Sequence, residues 1–444
     1  MISYWHVVIS GGAGKRLWPL SRENFPKPYI HYNDVELSLF QQTICRHRNA
    51  KNRLIITNEH LYYQSLHQLR VMSPSVNADF LLESNGKNTG PAICLAALHA
   101  NPDDLMVVTP ADHLIASTDQ YEKTLQDALA LTIKTNGVVL IGIHPTAPST
   151  EYGYIQTNGT NVSAFKEKPH AALAESYLQS GNYYWNSGIF CFKAHTILHA
   201  FKTHAPAIFN AAVIAYQNKD GQRVDTSAIP EGAFDRVILE VTDNIHMVHN
   251  QFNWSDIGSF DEFQNHLASP AAHITVNSSN TTAYSTKTVA FHDVSDVYIV
   301  ESNDAILVGK KGHSSSVSDV VSEVKKHHPM LLKESKQVYR PWGHYTILFE
   351  SSTYKVKRIL VYPKHRLSLQ KHNYRSEHWT CVSGEPSVTK GDTTLKLRPN
   401  ESIYIPQGTL HRIENDGDSN VEIIEVQCGS YLGEDDIIRI ESDY

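Results

Sequence analysis

The chain has 444 residues, 41% of them hydrophobic and 19% charged, which is too long for one ordinary domain. A formal net charge of −7 offers no broad basic field for nucleic acid, so a phosphorylated ligand has to be held by local cations. The five cysteines show no C-x-x-C pair, the N-terminus does not read as a signal peptide, and no run reaches the roughly 18 apolar residues of a membrane span; the expectation is a cytoplasmic protein with reduced thiols and no membrane partner.

The first predicted strand, residues 7–10, runs directly into "GGAGKR". A Walker A loop is excluded, because Gly14-Lys15 is followed by Arg16 and the residue five before Gly14 is Ile9. A dinucleotide fingerprint is excluded because its third glycine would fall on Leu17. What remains is a glycine turn whose backbone N–H groups can approach a polyphosphate, with Lys15, Arg16 and Lys27 to neutralise it. The plain alternative is a turn with solvated basic residues.

Further strands are expected at 54–57, 105–109 and 138–143, separated by helical patterns such as "PAICLAALHA", so the first part reads as an α/β domain with a mainly parallel sheet. Ligands gather at the carboxyl edge of such a sheet. "DLMVVTPADH" places Asp112 at that edge, and "FNWSDIGSFDEF" supplies Asp256 before a helix whose Ser259 and Glu262 fit a capping box. The two aspartates could share a magnesium ion with phosphate oxygens. Taken singly, each also reads as an ordinary turn residue.

From about residue 271 the chain becomes a strand-rich connector without apparent repeats, closed by a short amphipathic helix near "SDVVSEVKKHH". From about 338 to 440, short strands at turn-punctuated spacing indicate an all-β barrel or sandwich. There Gln370 and His372 share a strand face, Glu377 follows, and His411 comes after a Pro-x-Gly turn. This arrangement resembles the two motifs of a cupin, and its mixed N and O ligands suit zinc or another divalent transition metal. A metal-free barrel is the alternative.

"SGGAGKRLWPLSRENFPKP", "ESNGKNTGPAICLAAL", "TPADH", "EYGYI", "FKEKP", "YYWNSGIF" and "NWSDIGS" resemble, in this order, the motifs of mannose-1-phosphate guanylyltransferases. "RPWGHY", "YKVKRILV", "LSLQKHNYRSEHW", "YIPQGTLHRIEN" and "IIEVQCGSYLGEDDIIR" resemble the type II mannose-6-phosphate isomerase domain. The resemblance implies a Rossmann-like nucleotidyltransferase domain over 1–268, a strand-rich connector over 269–335 and a C-terminal all-β cupin barrel over 336–444. It implies that GTP and mannose 1-phosphate react at Arg16, Lys27, Asp112 and Asp256, with Mg2+ on the two aspartates. Gly11, Gly12, Ala13, Gly14 and Lys15 would cradle the nucleotide, and Glu83 or Asn88 would read guanine. Gly153, Glu167, Lys168 and Asn186 would hold the sugar phosphate.

For the barrel, the resemblance implies a metal on Gln370, His372, Glu377 and His411, and interconversion of mannose 6-phosphate and fructose 6-phosphate. Arg340, Lys357 and Arg375 are its phosphate candidates, and the sequence names no base. The chain departs from the family pattern at Lys15 (usually Thr), Lys87 (Arg), Val241 (Lys), Lys364 (Gly) and Asn373 (His). Two other readings stand beside this one. In the first, the transferase carries a non-catalytic, metal-binding cupin. In the second, the protein is a nucleotide- or sugar-binding regulator without turnover. A homo-oligomer is left open.

Overall fold

Continuous apolar runs such as "VVLIGI" bury both strand faces, which is the pattern of a sheet covered on both sides. The computed structural model describes residues 2–12, 14–31, 37–72, 76–265, 273–333 and 335–441, and Ala13 lies outside them. The chain divides into two compact units, Met1–Glu301 with Ile306–Glu323, and Ser302–Ala305 with Val324–Tyr444.

The strands of the α/β part are β1 (Trp5–Ser10), β2 (Asn52–Asn58), β3 (Asp79–Glu83), β4 (Leu105–Pro110), β5 (Leu114–Ile115), β6 (Val138–Ile143), β7 (Tyr154–Asn158), β8 (Asn161–Lys166), β9 (Tyr183–Lys193), β10 (Arg223–Val224), β11 (Ile245–His249) and β12 (Trp254–Ser255). All except β5 and β12 form one sheet in the order β10-β3-β2-β1-β4-β9-β6-β11-β8-β7. It is parallel from β10 to β4 and between β6 and β11, and the long β9 runs antiparallel to β4, β6 and β7. The helix Thr89–His99 is buried from Gly90 to Ala97 and packs in one core with Val7, Leu54 and Met106.

Two pairings build the candidate site. β1 and β4 are parallel neighbours with Ile9 opposite Pro110, so the glycine turn and Asp112 leave the same sheet edge side by side. β12 pairs with β5, Ser255 opposite Leu114, which brings Asp256 to Asp112 across the long sequence gap.

The connector holds a repeat that is not apparent in the sequence. Its strands His273–Val276 and Val289–His292 lie parallel, as do Thr282–Tyr284 and Val297–Glu301. Asn277 and Asp293 turn at φ 51 and 53, and Asn280 and Asp296 at φ 51 and 57. The Asn280 amide donates to Asp296 at 2.6 Å and Ser279 meets Ser295 at 2.9 Å, each pair 16 residues apart. Little besides Asn, Asp and Ser repeats, since these residues tolerate the left-handed turn and the strands between need only be apolar.

The second unit stacks two antiparallel sheets. One holds residues 337–340, 343–350, 354–361, 421–429, 375–383 and 402–405; the other holds 393–396, 387–390, 411–415, 369–372 and 437–441, with 365–366 paired to 411–415. Ile359, Val361, Trp379, Val388, Ile413 and Ile423 fill the apolar part of its core. Along Tyr354–Val361 the buried face changes from Val361 and Ile359 to Lys357 and Lys355, so one end of the interior is cationic.

Candidate active site and candidate metal centre

Gly14 turns at φ 59, and a Cβ there would lie 2.5 Å from the Cβ of Lys27, so this position requires glycine. Ser21 Oγ donates to Gly14 O at 2.7 Å and pins the turn. Gly11 and Gly12 are exposed with open space around them, and Lys15 is exposed. Arg16 reaches Glu151 at 2.8 Å. Lys27 is only 6% exposed; its ammonium lies 2.9 Å from Asp112 Oδ2 and donates to the main-chain oxygen of Asp256. Burial would raise the Asp112 carboxyl, but Lys27 and His113 outweigh it and hold the group below the usual carboxylate range.

Tyr152 OH donates to Asp256 Oδ1 at 2.7 Å and lies 3.3 Å from Glu262 Oε1. The expected capping box forms only in its serine half. Ser259 Oγ accepts from Glu262 N at 3.4 Å, while the Glu262 carboxylate takes the Gly258 N–H at 2.7 Å and faces Tyr152. Burial, then the neighbouring Asp256 charge, raises the Glu262 carboxyl. Trp254 Nε1 donates to His113 Nδ1 at 3.2 Å, and burial pushes this imidazole down to about 4.

Tyr152, Gly153, Glu167, Asn186, Asp235 and Asp256 line one cleft beside this edge. A Cβ on Gly153 would stand 2.7 Å from Glu167 Oε2, so glycine lets the glutamate close on the backbone. Asn186 Nδ2 donates to Asp235 Oδ1 at 2.8 Å. Burial and the Glu167 carboxylate push Asp235 up to about 6. Gly11, Gly12, Gly14, Lys15, Arg16, Lys27, Glu83, Asn88, Asp112 and Lys168 lie outside that lining. Lys168 is exposed at φ 43, 3.6 Å from Glu167. Glu83 is buried at the end of β3, pushed up to about 7 by burial, and its Oε1 has no partner among the described residues. Asn88 turns at φ 74 and caps the helix Thr89–His99, accepting from Thr89 N at 2.8 Å.

In the barrel, one ligand atom each from His372, Glu377 and His411 lies within 4.8 Å of the others, and all three residues are buried. His372 Nε2 is 3.0 Å from Glu377 Oε1 and 3.1 Å from His411 Nε2. His411 Nδ1 donates to Thr409 O at 2.8 Å, which fixes its tautomer and leaves Nε2 as a bare acceptor facing the cluster. Burial would raise Glu377, but His372, His411 and Arg375 overcome it and hold the carboxyl far below its ordinary range. Two inward imidazole nitrogens and an anionic carboxylate are a donor set that fits a divalent cation. Gln370 is paired in register with His411, and its side-chain oxygen accepts from Ser368 Oγ at 3.1 Å. Of the expected phosphate cations, Lys357 is buried in an ion pair with Glu434, Arg375 is buried against Glu377 at 3.2 Å, and Arg340 lies over the Tyr345 ring.

The Nucleotidyl transferase profile matches residues 5–270, and the Mannose-6-phosphate isomerase C-terminal profile matches residues 327–442. The chain is 39% identical to the xanthan biosynthesis protein XanB of Xanthomonas campestris pv. campestris (strain B100), over 99% of this chain and 98% of that one. It is 36% identical to the mannose-1-phosphate guanylyltransferase of Escherichia coli (strain K12), again over 99% and 98%. The chain belongs to the mannose-1-phosphate guanylyltransferase family. A solved Thermus thermophilus protein described as a mannose-1-phosphate geranyltransferase shares the fold with a TM-score of 0.61 and 26% identity, covering 73% of this chain and all of that one.

Three positions that the resemblance marks as departures, Lys364, Val241 and Asn373, make the following contacts. Lys364 turns at φ 61 and anchors its ammonium on Asp416 O at 2.6 Å and Asp418 at 3.0 Å. Val241 is exposed beside Glu240, whose carboxylate accepts the Glu167 N–H at 3.2 Å. Asn373 keeps only main-chain roles among the bonds described: its N–H goes to Asp436 at 2.9 Å and its carbonyl accepts from Gln407. Sequence reasoning missed Tyr152, His113 and Asp235. Tyr152 and His113 sit inside motifs already singled out. Asp235 opens an apolar run and reads as a helix start, which gives no hint that it faces a cleft. No helix among the described residues is long and apolar enough to cross a membrane.

Proposed function

We propose that this protein forms GDP-mannose and pyrophosphate from GTP and mannose 1-phosphate. The observation that carries the reading is the Lys27 ammonium, held between the Asp112 carboxylate and Asp256 at the edge where the glycine turn ends, next to the cleft of Gly153, Glu167 and Asn186. An oxygen of the mannose 1-phosphate phosphate attacks the α-phosphorus of GTP, and the bond to the β-phosphate oxygen breaks to release pyrophosphate. The protein's part is alignment and charge stabilisation. Gly11, Gly12, Gly14 and Lys15 cradle the triphosphate, with Arg16 and Lys27 on its developing charge. Lys168 takes the sugar phosphate; Glu167 and Asn186 take sugar hydroxyls. Glu83, whose buried Oε1 has no partner among the described residues, and Asn88 are the guanine candidates. Two hard carboxylate donors suit Mg2+ on Asp112 and Asp256, where it would neutralise bridging phosphate oxygens.

A pyrophosphate-release assay with mannose 1-phosphate and each of the four nucleoside triphosphates tests this. Release with GTP that disappears in Asp112→Asn is the expected result. Silence with every nucleotide would sink the assignment.

The trio His372, Glu377 and His411 favours a second activity in the barrel, isomerisation of mannose 6-phosphate to fructose 6-phosphate. Zinc or another divalent transition metal held there would polarise the sugar carbonyl and ease proton removal from C2. Arg340, Lys357 and Arg375 supply the cations for the 6-phosphate. Fructose 6-phosphate formation that is lost in His372→Ala, while pyrophosphate release persists, is the expected result; absence of any isomerisation would leave the barrel a metal-binding accessory.

A further inference from the structure

In the barrel, the cations that would meet a phosphate are already satisfied by the chain itself. Lys357 is 4% exposed, and its ammonium is paired with Glu434. Lys357 and Arg340 both lie over the Tyr345 ring, their charged ends 4.5 Å and 5.7 Å from its centre. Arg375 donates to the carbonyl of Gly433, the residue before Glu434, at 2.8 Å. Asp436 closes the turn by accepting from Asn373 N at 2.9 Å and Tyr374 N at 3.2 Å, and Lys355 donates to Leu432 O at 3.0 Å. The backbone of 432–436 is thus fastened at several points, while the side chain of Glu434 remains 42% exposed.

The geometry points to Glu434 as a resident anion, seated among Lys357, Arg340 and Arg375 where a phosphate would bind, and exchanged for that phosphate when a phosphorylated ligand enters. The inference rests on the reading of the barrel as a phosphosugar site. Its physical basis is the cost of a bare buried cation. Without Glu434, the acid facing Lys357 across the strand pair is Glu425, whose oxygens are engaged by Trp379 Nε1 at 3.1 Å and Gln427 Nε2 at 2.9 Å. Glu425 still acts on Lys357 electrostatically, but without Glu434 the buried ammonium loses its ion pair, which is expensive, so the chain supplies a carboxylate. A phosphate carries more charge and more acceptor oxygens than one carboxylate, and can displace it. A neutral hexose cannot. The resident acid therefore penalises unphosphorylated sugars, which is selectivity through a competing internal contact. The Glu434 carboxyl is held below its usual range; burial opposes this, and Lys357, Arg375 and Arg340 prevail.

The test is calorimetric titration of the full-length wild type and Glu434→Gln with inorganic phosphate, alongside mannose 6-phosphate turnover. The two proteins share every other anion site, so their difference reports the barrel. If one charged hydrogen bond is released on binding, Glu434→Gln binds phosphate about tenfold more tightly. Adding Lys357→Met to that variant abolishes the gain. Equal or weaker binding by Glu434→Gln, or a gain that survives without Lys357, overturns the inference. Tighter phosphate binding without any isomerisation would keep the exchange and remove the isomerase reading; isomerisation without tighter binding would do the reverse.

Discussion

The Lys27 ammonium lies 2.9 Å from Asp112 Oδ2, and the same group takes the main-chain oxygen of Asp256. One buried cation therefore orders both aspartates before any ligand arrives. Lys27→Met is expected to lower kcat for pyrophosphate release by about 10²–10³-fold, the usual loss on removing one preorganised charge donor. It also removes the partner that depresses Asp112. That depression contributes stability above the ordinary carboxyl range and is lost as pH falls through the lowered value, so the variant should lose stability at neutral pH and differ less from wild type in acid. Urea unfolding at two pH values checks the sign.

Tyr152 holds Asp256 from the other side, donating at 2.7 Å. Tyr152→Phe leaves the ring packed against Trp185 and Trp254 but frees the carboxylate to rotate. The magnesium concentration for half-maximal rate should rise by about 10–100-fold, with a smaller change in kcat at saturating metal. An equal loss at all magnesium concentrations would mean that Tyr152 touches substrate rather than positioning Asp256.

Asp235 gives a pH signature of the opposite sign. Its folded value, about 6, stands above the 3.8 of an ordinary aspartate, so the folded state holds the extra proton. Stability from this group falls as pH rises between those two values and is flat above them. Asp235→Asn removes the slope. The variant should gain at most about 3 kcal/mol above pH 6, less after solvent screening, and nothing near pH 4. Because Asp235 bonds Asn186 in the cleft, the same change should raise KM for mannose 1-phosphate. Stability gained with function lost is the expected pattern at a site residue.

How far the sequence could be read depended on whether the signal was local. β1, β4 and β6 were legible because their apolar runs are continuous; strand periodicity put only Gln370 and His372 on one face, and Glu377 and His411 joined them through the resemblance to cupin motifs, while the fold gathers His372, Glu377 and His411. The closeness of Asp112 and Asp256 depends on a two-residue pairing of β5 with β12, too short to leave a pattern. The repeat around Asn280 and Asp296 is conformational and needs only residues that tolerate positive φ. Lys357 and Arg375 read in the sequence as cations free for a ligand. Composition cannot show that Glu434 and Glu377 already hold them.

Lys364 occupies a left-handed turn at φ 61 that a glycine would adopt without strain. Its contacts to Asp416 and Asp418 are exposed, and exposed ion pairs contribute little. Lys364→Gly should therefore raise stability by about 1 kcal/mol, read as a higher melting temperature of the barrel. A lower melting temperature would show that the two contacts outweigh the backbone strain.

His411 separates the two halves of the protein chemically. Its Nδ1–H is committed to Thr409, so Nε2 is the nitrogen offered to a cation, and burial keeps the imidazole pKa below its ordinary value. Metal binding should therefore persist to mildly acidic pH and fail once the ligands protonate. Glu377 acts in the same direction: its depressed pKa contributes stability above the ordinary carboxyl range and loses it as pH falls through the lowered value. His411→Ala should strip the barrel of metal, measured by plasma mass spectrometry on the dialysed protein, and abolish isomerisation. GTP-dependent pyrophosphate release should be unchanged, because the transferase cleft lies in the other compact unit. In magnesium-free buffer, a chelator should lower the melting temperature of the wild type and leave His411→Ala unmoved, since metal affinity held by the folded barrel adds to its stability. If His411→Ala retains its metal, the three-residue site is wrong, and Gln370 with a different neighbour becomes the ligand set to test.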